Sequence, residues 1–382
     1  MDRILQINAG SIENNNKDFN FGGVEVFLIN LYRNIDKEKY IFDFLTPGKS
    51  TFSHHLEELK SFGSYIYELN VCRNRFVRLI QFFIRLVLFL RNHKYEIVHI
   101  HTGSLYLQTV SVLACKFVKV PFIISHSHGA KKYSSFLAKI CQKIVTELSD
   151  YQLSCSKYAC YSIFDSCSSK FNKIKIINNG IDIKKYEFSE KSRIEYRKKL
   201  GLEDKFVFGH IGNFVEAKNH LFLIDIFNEI KKINRNSVLL LIGDGLLKEK
   251  IEKKTRKLGL YNSTSFLGHR DDIPELLSCM DVFVFPSTHE GFGMTVIEAQ
   301  ASGLNCFISD SLSKEVDVTD LVYRISLNSS SQSWANNIIN NISRRNRKNY
   351  NKLLLNKGFD LKDLVIKIQN LYEGILKEKN SL

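Results

Sequence analysis

Short apolar runs alternate with longer helix-like stretches along the whole chain, and this alternation limits the possible folds more than any other feature of the sequence. The runs are rich in apolar and β-branched residues, which is typical of buried strands. Strands that alternate with helices form parallel sheets joined by right-handed crossovers. The runs predicted as strands are 3–8, 40–46, 65–69, 96–101, 121–126, 151–154, 173–178, 206–212, 237–242, 265–268, 282–286, 305–309 and 321–326. The sequence therefore predicts an α/β protein with two parallel sheets.

A chain of 382 residues is longer than one ordinary hydrophobic core requires. The polar stretch "NNGIDIKKYEF" (178–188) follows a strand and precedes a charged helix, so we place the domain boundary there. The prediction is a Rossmann-like domain over 1–180, a second one over 181–355, and a C-terminal helix over 356–382 that packs back towards the first domain. Ligands of doubly wound sheets bind beyond the carboxyl ends of the strands. We therefore expect the two domains to face each other across a ligand-binding cleft.

The composition is that of a globular protein with an anionic partner. Apolar residues make up 44% and charged residues 25%, while the formal charge of +14 favours phosphates, nucleic acid or an acidic membrane surface. The sequence contains no motif that reads nucleic acid, so we expect no nucleic-acid partner. The eight cysteines show no metal-ligand spacing, and the chain has neither a signal-peptide core nor a long apolar span. These features predict a cytoplasmic protein with reduced thiols.

The stretch "VFVFPSTHEGFGMTVIEAQASG" (282–303) combines a strand, a glycine-rich turn and a helix with two carboxylates. Gly291 and Gly293 allow a ligand to approach the backbone, and the helix start offers free N–H groups to a phosphate. Glu298 lies just over one turn into the helix, where its oxygens can accept hydrogen bonds from a vicinal diol such as a ribose. Glu290 stays in the loop. The alternative is that Glu290 caps the helix and Glu298 is a solvated surface residue.

The stretch "GHIGNFVEAKNHLFLIDIF" (209–227) is a second junction of strand, turn and helix. Lys218 lies just before a helix predicted to start at Asn219 or His220. Its ammonium group can neutralise a diphosphate leaving group, although an ordinary surface lysine is the alternative. "LIGDGLLKEKI" (241–251) is a third junction of the same kind.

The N-terminal half has two weaker signals. Gly22 and Gly23 precede an amphipathic helix, where the backbone can lie close to a ligand. His126 and His128 end a buried strand, where ligands of such sheets bind, although a structural role is the alternative. No Cys or His cluster downstream completes a metal site, so we expect none. The acidic "RDDIP" (270–274) is interpreted as a helix cap rather than a metal ligand.

The stretch "RNRFVRLIQFFIRLVLFLRNHK" (73–94) is apolar at its centre and basic at both ends. One interpretation is a buried crossover helix. The other is a contact in the plane of a membrane, in which the cations meet anionic headgroups and the apolar side chains enter the interface.

Several ordered blocks together give the chain a resemblance to a known family. It resembles the retaining GT-B glycosyltransferases of bacterial capsule and exopolysaccharide synthesis over residues 3–330. The blocks are "GGVEVFLINLYRNID", "SHSHG", "IINNGIDIKKY", "GHIGNFVEAKNHLFLIDIF", "LIGDGLL", "FLGHRDDIPELLSCMDVFVFPSTHEGFGMTVIEAQASG" and "ISDSLSKEVDVTD". The longest block contains the family's Glu-x7-Glu pattern as Glu290 and Glu298.

The resemblance implies transfer of a hexose from a nucleotide sugar, most often a UDP-hexose, to a lipid-linked saccharide at the inner face of the plasma membrane. It implies that Glu298 binds the ribose, that Glu290 lies at the donor sugar, and that Lys218 offsets charge on the departing diphosphate. It implies no metal ion and no other cofactor. The remaining residues implied in the site are Gly291, Phe292, Gly293 and Thr295 for sugar and diphosphate, His269 and Arg270 for the base, Gly22 and Gly23 for the N-domain side of the diphosphate, and His126 or His128 for sugar or acceptor.

One position departs from the family pattern. Asn213 stands in the phosphate loop where the family usually has arginine, and an amide supplies neither charge nor a bidentate fork to phosphate. Lys218 and the helix dipole then bear more of the charge compensation. Either the affinity for the ligand is lower, or another cation substitutes (Arg270 or an N-domain lysine), or the activity is weak. The alternative function is accordingly a weak or inactive glycosyltransferase-like subunit that binds nucleotide sugar and partners an active enzyme.

Overall fold

The computed structural model describes residues 1–9, 22–48, 52, 55–72, 74–129, 131, 133–342 and 347–380. The chain divides into two units. Unit 1 comprises Met1–Gly180 with Leu361–Leu382, and unit 2 comprises Ile181–Asp360. The division after residue 180 coincides with the predicted domain boundary, and the C-terminal segment that belongs with unit 1 begins at Leu361 rather than at residue 356. The predicted cleft between the domains stays a prediction.

Unit 1 is built on a parallel sheet of seven strands. The strands are β1 (Asp2–Ala9), β2 (Tyr40–Thr46), β3 (Ile66–Glu68), β4 (Ile97–Thr102), β5 (Phe122–Ser127), β6 (Tyr151–Ser154) and β7 (Lys175–Ile176). They lie in the order β3-β2-β1-β4-β5-β6-β7, and every neighbouring pair is parallel. The strand order reverses between β1 and β4, which marks the point where doubly wound sheets bind ligands.

Helices cover both faces of this sheet and close two apolar cores. They are α1 (Gly23–Asn34), α2 (Leu56–Ser61), α3 (Arg75–Asn92), α4 (Leu105–Phe117), α5 (Phe136–Leu148), α6 (Lys157–Ile163) and, from the end of the chain, α14 (Leu361–Asn380). Helices α1 and α14 pack on one face, and α3 to α6 pack on the other. Tyr372 of α14 is fully buried and accepts a hydrogen bond from Gln6 on β1 at 3.2 Å. The last helix is therefore part of the unit 1 core.

Unit 2 repeats the plan with six parallel strands. The strands are β8 (Phe206–Ile211), β9 (Ser237–Ile242), β10 (Thr264–Gly268), β11 (Val282–Phe285), β12 (Asn305–Ser309) and β13 (Val322–Ile325), in the order β10-β9-β8-β11-β12-β13. The helices are α7 (Glu190–Leu200), α8 (His220–Ile233), α9 (Lys248–Lys257), α10 (Ile273–Cys279), α11 (Met294–Ala301), α12 (Ser331–Asn341) and α13 (Asn351–Asn356). Here the strand order reverses between β8 and β11. The two stretches with predicted charged site residues follow these two strands.

All thirteen runs predicted as strands are strands in the structure, with differences only at their ends. The largest difference is at β7, which is shorter than predicted. It lies at the edge of the sheet and has one neighbour, β6, so pairing ends where that strand ends. None of the described helices is long and apolar enough to cross a membrane.

Candidate active site

Two loops of unit 2 bring a lysine and a glutamate together. Lys218 precedes α8 and Glu290 follows β11, and Lys218 Nζ donates to Glu290 Oε1 at 2.7 Å. Only 18% of the lysine side chain and 13% of the glutamate side chain are exposed. The ammonium group also lies 4.7 Å from the centre of the Phe285 ring. Neither residue is the solvated side chain or helix cap that the alternative interpretations describe, because Gly293 is the N-cap of α11 and has no side-chain cap.

Hydrogen bonds to backbone carbonyls join these two loops. The Thr288 N–H donates to the Ala217 carbonyl at 2.8 Å, and Asn219 Nδ2 donates to the Pro286 carbonyl at 3.1 Å. Asn219 has a φ of 55°, in the left-handed region where Asn is tolerated, and helix α8 starts at His220 as predicted. The charged pair therefore sits on a rigid frame at the carboxyl edge of the sheet.

The loop after β9 packs tightly against the loop that contains Asn213. Gly212 and Phe214, on either side of Asn213, donate their N–H groups to the carbonyls of Ile242 and Asp244. A Cβ at Gly243 would lie 2.2 Å from the Gly212 carbonyl oxygen, so only glycine fits there. This contact explains the first glycine of the "LIGDGLL" motif.

Helix α11 begins at the same edge. Gly293 has a φ of 98°, which favours glycine, and the helix N–H groups before Val296, whose own N–H donates to the Gly293 carbonyl at 2.9 Å, have no intrahelical partner. Thr295 Oγ1 is buried and has no hydrogen-bond partner among the described residues. Phe292 is buried and packs on Phe359, with 5.4 Å between ring centres. The turn thus offers backbone donors and one unsatisfied hydroxyl group.

Glu298 is buried in α11, with 9% of its surface exposed, so the surface interpretation of this residue is wrong. Burial raises the pKa of its carboxyl group to about 7, while a hydrogen bond from Tyr186 and the charges of Lys185 and Lys218 oppose that rise. Tyr186 lies in the quoted block "IINNGIDIKKY", but the sequence assigned it no role. A carboxyl group has more acceptor sites than one hydrogen bond uses, so Glu298 can also accept hydrogen bonds from a ligand.

The residues whose backbone is predicted to read the base lie in the loop between β10 and α10. His269 is exposed, and Arg270 Nε donates to Asp272 Oδ1 at 2.7 Å. Asp272 occupies the N-cap position of α10 but makes no side-chain cap, because its carboxylate binds Arg270 and the Tyr196 hydroxyl. The helix-cap interpretation of "RDDIP" is therefore wrong for the side chain. Arg270 is already paired and is a poor substitute for the missing arginine at Asn213.

In unit 1, Gly22 and Gly23 begin helix α1 beside the end of β1. The Gly22 N–H donates to Glu25 Oε2 at 3.0 Å, and Asn8 Nδ2 donates to Glu25 Oε1 at 2.8 Å. A Cβ at Gly23 would meet no atom within 4 Å. Glu25, which the sequence did not single out, thus fixes the helix start to the strand end. The preceding residues 10–21 lie outside the described residues.

His126 and His128 belong to a cluster of four histidines. His99 and His101 on β4 join them, and His101 Nδ1 lies 3.0 Å from His128 Nε2. The sequence pattern predicted no metal site because no Cys or His cluster follows His126, whereas the neighbouring histidines precede it. Burial lowers the pKa of all four rings, to about 3 for His128. His128 is only partly buried, while the other three are fully buried.

The geometry of unit 2 suits binding of a molecule with a diphosphate and a diol. A cation and helix N–H groups compensate negative charge on a ligand, while a buried carboxyl group accepts hydrogen bonds from ligand hydroxyls. Such preorganised donors stabilise charge that develops on a leaving group without covalent participation of the protein.

Comparison with known proteins assigns the chain to a family. The model "Glycosyltransferase Family 4" matches residues 21–185, and "Glycosyl transferases group 1" matches residues 192–353. The chain is 31% identical to EpsF of Bacillus subtilis (strain 168), a protein classed among the glycosyltransferases, over 99% of this chain and 98% of that protein. It is 29% identical to the UDP-Gal:alpha-D-GlcNAc-diphosphoundecaprenol alpha-1,3-galactosyltransferase of Escherichia coli over 63% of this chain and 64% of that protein.

A solved structure shows the same fold. The Anabaena HepE protein in complex with UDP and glucose superposes with a TM-score of 0.75 at 20% identity, covering 97% of this chain and 99% of that chain. Two Rossmann-like units with polar carboxyl edges place the protein in the GT-B fold class. Together with the family models and the full-length relative, this shows that the chain belongs to the glycosyltransferases.

The raised pKa of Glu298 makes a prediction about stability in the ligand-free protein. Between pH 4.5 and 7 the folded state holds a proton that the unfolded chain releases, so the stability attributable to this carboxyl group falls as the pH rises through that window. We expect the free energy of unfolding of the wild type, measured relative to Glu298→Gln, to fall by about 2 kcal/mol from pH 5 to pH 8.

The measurement is urea unfolding followed by tryptophan fluorescence. The chain has one tryptophan, Trp334, which is buried in unit 2, so its signal reports on the unit that contains Glu298. Glu229→Gln, in α8 of the same unit, is the control and should leave the pH dependence unchanged, because Glu229 is paired with the exposed Lys232. A wild-type curve parallel to that of Glu298→Gln would contradict the assignment.

Proposed function

We propose that the protein is a retaining glycosyltransferase that transfers a hexose from a nucleotide sugar, preferably UDP-linked, to a lipid-linked saccharide in capsule or exopolysaccharide synthesis. The observation that carries the proposal is the Lys218–Glu290 pair at the carboxyl edge of unit 2, in the same unit as the buried Glu298. The names of similar proteins support the substrate classes, since one is a galactosyltransferase that uses UDP-Gal and a diphosphoundecaprenol acceptor, and another was crystallised with UDP and glucose.

In the proposed donor complex Glu298 accepts hydrogen bonds from the ribose hydroxyls. The backbone amides of Gly291 to Gly293 and the Thr295 hydroxyl bind the sugar and diphosphate. The buried Thr295 Oγ1, which has no partner in the described part of the chain, gains one in this complex. The hydrogen bonds made by the hydroxyl and the carboxyl group in this complex offset the free-energy cost of burying them.

Lys218 stabilises the diphosphate as it leaves. In the free protein its ammonium group is held by Glu290 at 2.7 Å, and in the complex it faces the phosphate oxygens while Glu290 turns to the hydroxyls of the donor sugar. Positive charge aimed at a developing phosphate anion lowers the barrier without covalent chemistry. We propose no metal ion at this step because Lys218 and the helix N–H groups supply the compensation, and no nucleophile because retention follows from a same-face displacement assisted by the leaving phosphate.

Unit 1 serves the acceptor. Gly23 leaves space at the start of α1, and His128 is the partly exposed member of the histidine cluster. We therefore assign His128, rather than the fully buried His126, to the sugar or the acceptor. Its ring stays neutral at physiological pH because burial lowers its pKa to about 3, so it acts by hydrogen bonding.

A second part of the proposal concerns a membrane surface. One side of α3 packs into the unit 1 core, and the other presents a stripe of exposed apolar side chains at intervals of four residues. The neighbouring helices α4 and α5 add further exposed apolar residues to this side of unit 1. The apolar patch comprises Phe76, Val77, Ile80, Ile84, Leu88, Phe117, Phe136, Leu137 and Ile140.

Cations accompany the apolar patch. Exposed basic residues lie on or beside the same three helices, namely Arg85, Arg91, Lys94 and Lys139. The guanidinium of Arg91 lies 5.6 Å from the centre of the Phe117 ring. An apolar face accompanied by cations fits an anionic lipid surface. The proposal therefore places the protein peripherally on the inner face of the plasma membrane, where a lipid-linked acceptor is reached.

We predict that Lys218→Ala and Glu290→Ala each reduce turnover of the nucleotide sugar by about 100-fold or more, because each removes a group that acts on the departing diphosphate or the donor sugar. The matched control is the Lys232–Glu229 pair, which has the same 2.7 Å separation but an exposed lysine on α8. Its alanine variants should retain wild-type turnover. Release of UDP in the presence of a lipid-linked acceptor is the readout, with thermal unfolding to verify the fold.

The outcomes separate the competing functions. Wild-type rates in a folded Lys218→Ala or Glu290→Ala variant would disprove the assignments. If the wild type binds UDP but turns over no donor with any acceptor of a panel, the alternative function holds. The protein is then a nucleotide-sugar-binding subunit that is inactive because Asn213 stands where the family usually has arginine.

The membrane proposal predicts binding to liposomes that contain anionic phospholipid, weakening as salt screens the cations. The double variant Ile80→Glu/Ile84→Glu places two carboxylates in the apolar patch and should reduce co-sedimentation several-fold. Ile194→Glu/Ile233→Glu changes two isoleucines of unit 2 that are at least as exposed and should have no effect. Equal binding of both variants, or equal binding to neutral and anionic liposomes, would rule out this surface.

A further inference from the structure

The strand register of unit 1 brings three buried histidines to one side of the sheet. His99 and His101 are two residues apart on β4, so both side chains lie on the same face. His101 stands directly opposite His126 of the neighbouring strand β5. All three residues are fully buried, and each offers a ring nitrogen within 4.8 Å of those of the other two.

Several of these nitrogens have no hydrogen-bond partner among the described residues. They are both ring nitrogens of His126 and the Nε2 of His99. A buried imidazole with neither nitrogen satisfied forfeits both a donor and an acceptor bond, and buried polar groups in proteins are nearly always paired. These unpartnered nitrogens are therefore available to bind a ligand.

The second ring nitrogens of His99 and His101 lie against oxygen atoms, as in metal-ligating histidines, whereas the nitrogen that His101 would offer to an ion, Nδ1, lies 3.0 Å from His128 Nε2 and would exchange that contact for the ion. His99 Nδ1 lies 2.7 Å from the Tyr372 hydroxyl, and His101 Nε2 lies 2.9 Å from Gln6 Oε1. Metal-ligating histidines characteristically donate their second N–H group to an oxygen acceptor, which fixes the ring orientation. Gln6 and Tyr372 are themselves joined by a hydrogen bond at 3.2 Å, so the supporting residues form one connected frame.

The surroundings keep the rings neutral, which is the form that binds metal ions. Phe27 packs over the cluster, with 5.4 Å between its ring centre and that of His126. Burial of three adjacent rings also disfavours a positive charge on any one of them.

We propose that His99, His101 and His126 bind a divalent transition-metal ion, with zinc as the expected ion. Three imidazoles with one open position are a known ligand set for zinc, and imidazole nitrogen favours zinc, copper or nickel over magnesium or calcium. Binding draws the nitrogens in to about 2.0–2.1 Å from the ion. The ion ties β4 to β5 and, through Tyr372, to α14. It stabilises unit 1 and takes no part in the donor chemistry of unit 2.

The experiment measures metal directly in untagged, full-length protein equilibrated with zinc chloride and then desalted. We expect about one zinc ion per chain by elemental analysis and a rise in the unfolding temperature that a chelator reverses. His126→Gln should lose the ion. The matched control is His220→Gln, since His220 of unit 2 is also fully buried with both ring nitrogens unpartnered in the described residues, but only one further histidine, His210, lies against it.

A second readout covers the case in which His126→Gln does not fold. Cobalt(II) in place of zinc should give visible absorption bands of a nitrogen-ligated site in the wild type. Tyr372→Phe keeps the aromatic core but removes the acceptor for His99, and should weaken metal affinity by about 10-fold or more. Wild-type protein without stoichiometric metal after zinc treatment, or metal binding that survives both His126→Gln and Tyr372→Phe unchanged, would overturn the proposal.

Discussion

An ammonium group and a carboxylate meet 2.7 Å apart where the loops after β8 and β11 converge, and the account of unit 2 depends on this contact. Both side chains are mostly buried. A buried ion pair is rarely the most stable way to fill such a space, because desolvation offsets much of the attraction between the charges. An apolar pair would serve stability equally well. The position of Lys218 and Glu290 at the switch point of the sheet therefore indicates a role in binding rather than in folding.

The two units use the same topology for different chemistry. In unit 2 the carboxyl edge bears a cation, a carboxylate and a buried carboxyl group whose pKa is raised to about 7, all of which suit a charged diphospho-sugar. In unit 1 the corresponding strands bear neutral histidines. Unit 1 also exposes apolar side chains on α3, which the proposal assigns to a lipid surface. Under the proposal, donor chemistry and acceptor delivery belong to different units of one chain.

The strands could be predicted from the sequence because buried parallel strands are continuous apolar runs, and the charged site followed because Lys218, Glu290 and Glu298 lie in recognisable junctions. Other features depend on spatial neighbours that no local pattern encodes. His99 and His101 join His126 only through the register of β4 and β5. Tyr186 contacts Glu298 from a distant loop, and Tyr196 of α7 donates a hydrogen bond to Asp272, the partner of Arg270. Side-chain pairing was thus the part that sequence patterns could not supply.

The central claim is that Lys218, Glu290 and Glu298 bind one diphospho-sugar, and a crystal structure with bound UDP tests it most directly. The account predicts ribose hydroxyls within hydrogen-bonding distance of Glu298, the diphosphate at the start of α11, and Lys218 Nζ turned from Glu290 to a phosphate oxygen. A nucleotide bound elsewhere in the molecule, or a Lys218–Glu290 pair that stays closed with the diphosphate out of reach, would contradict it.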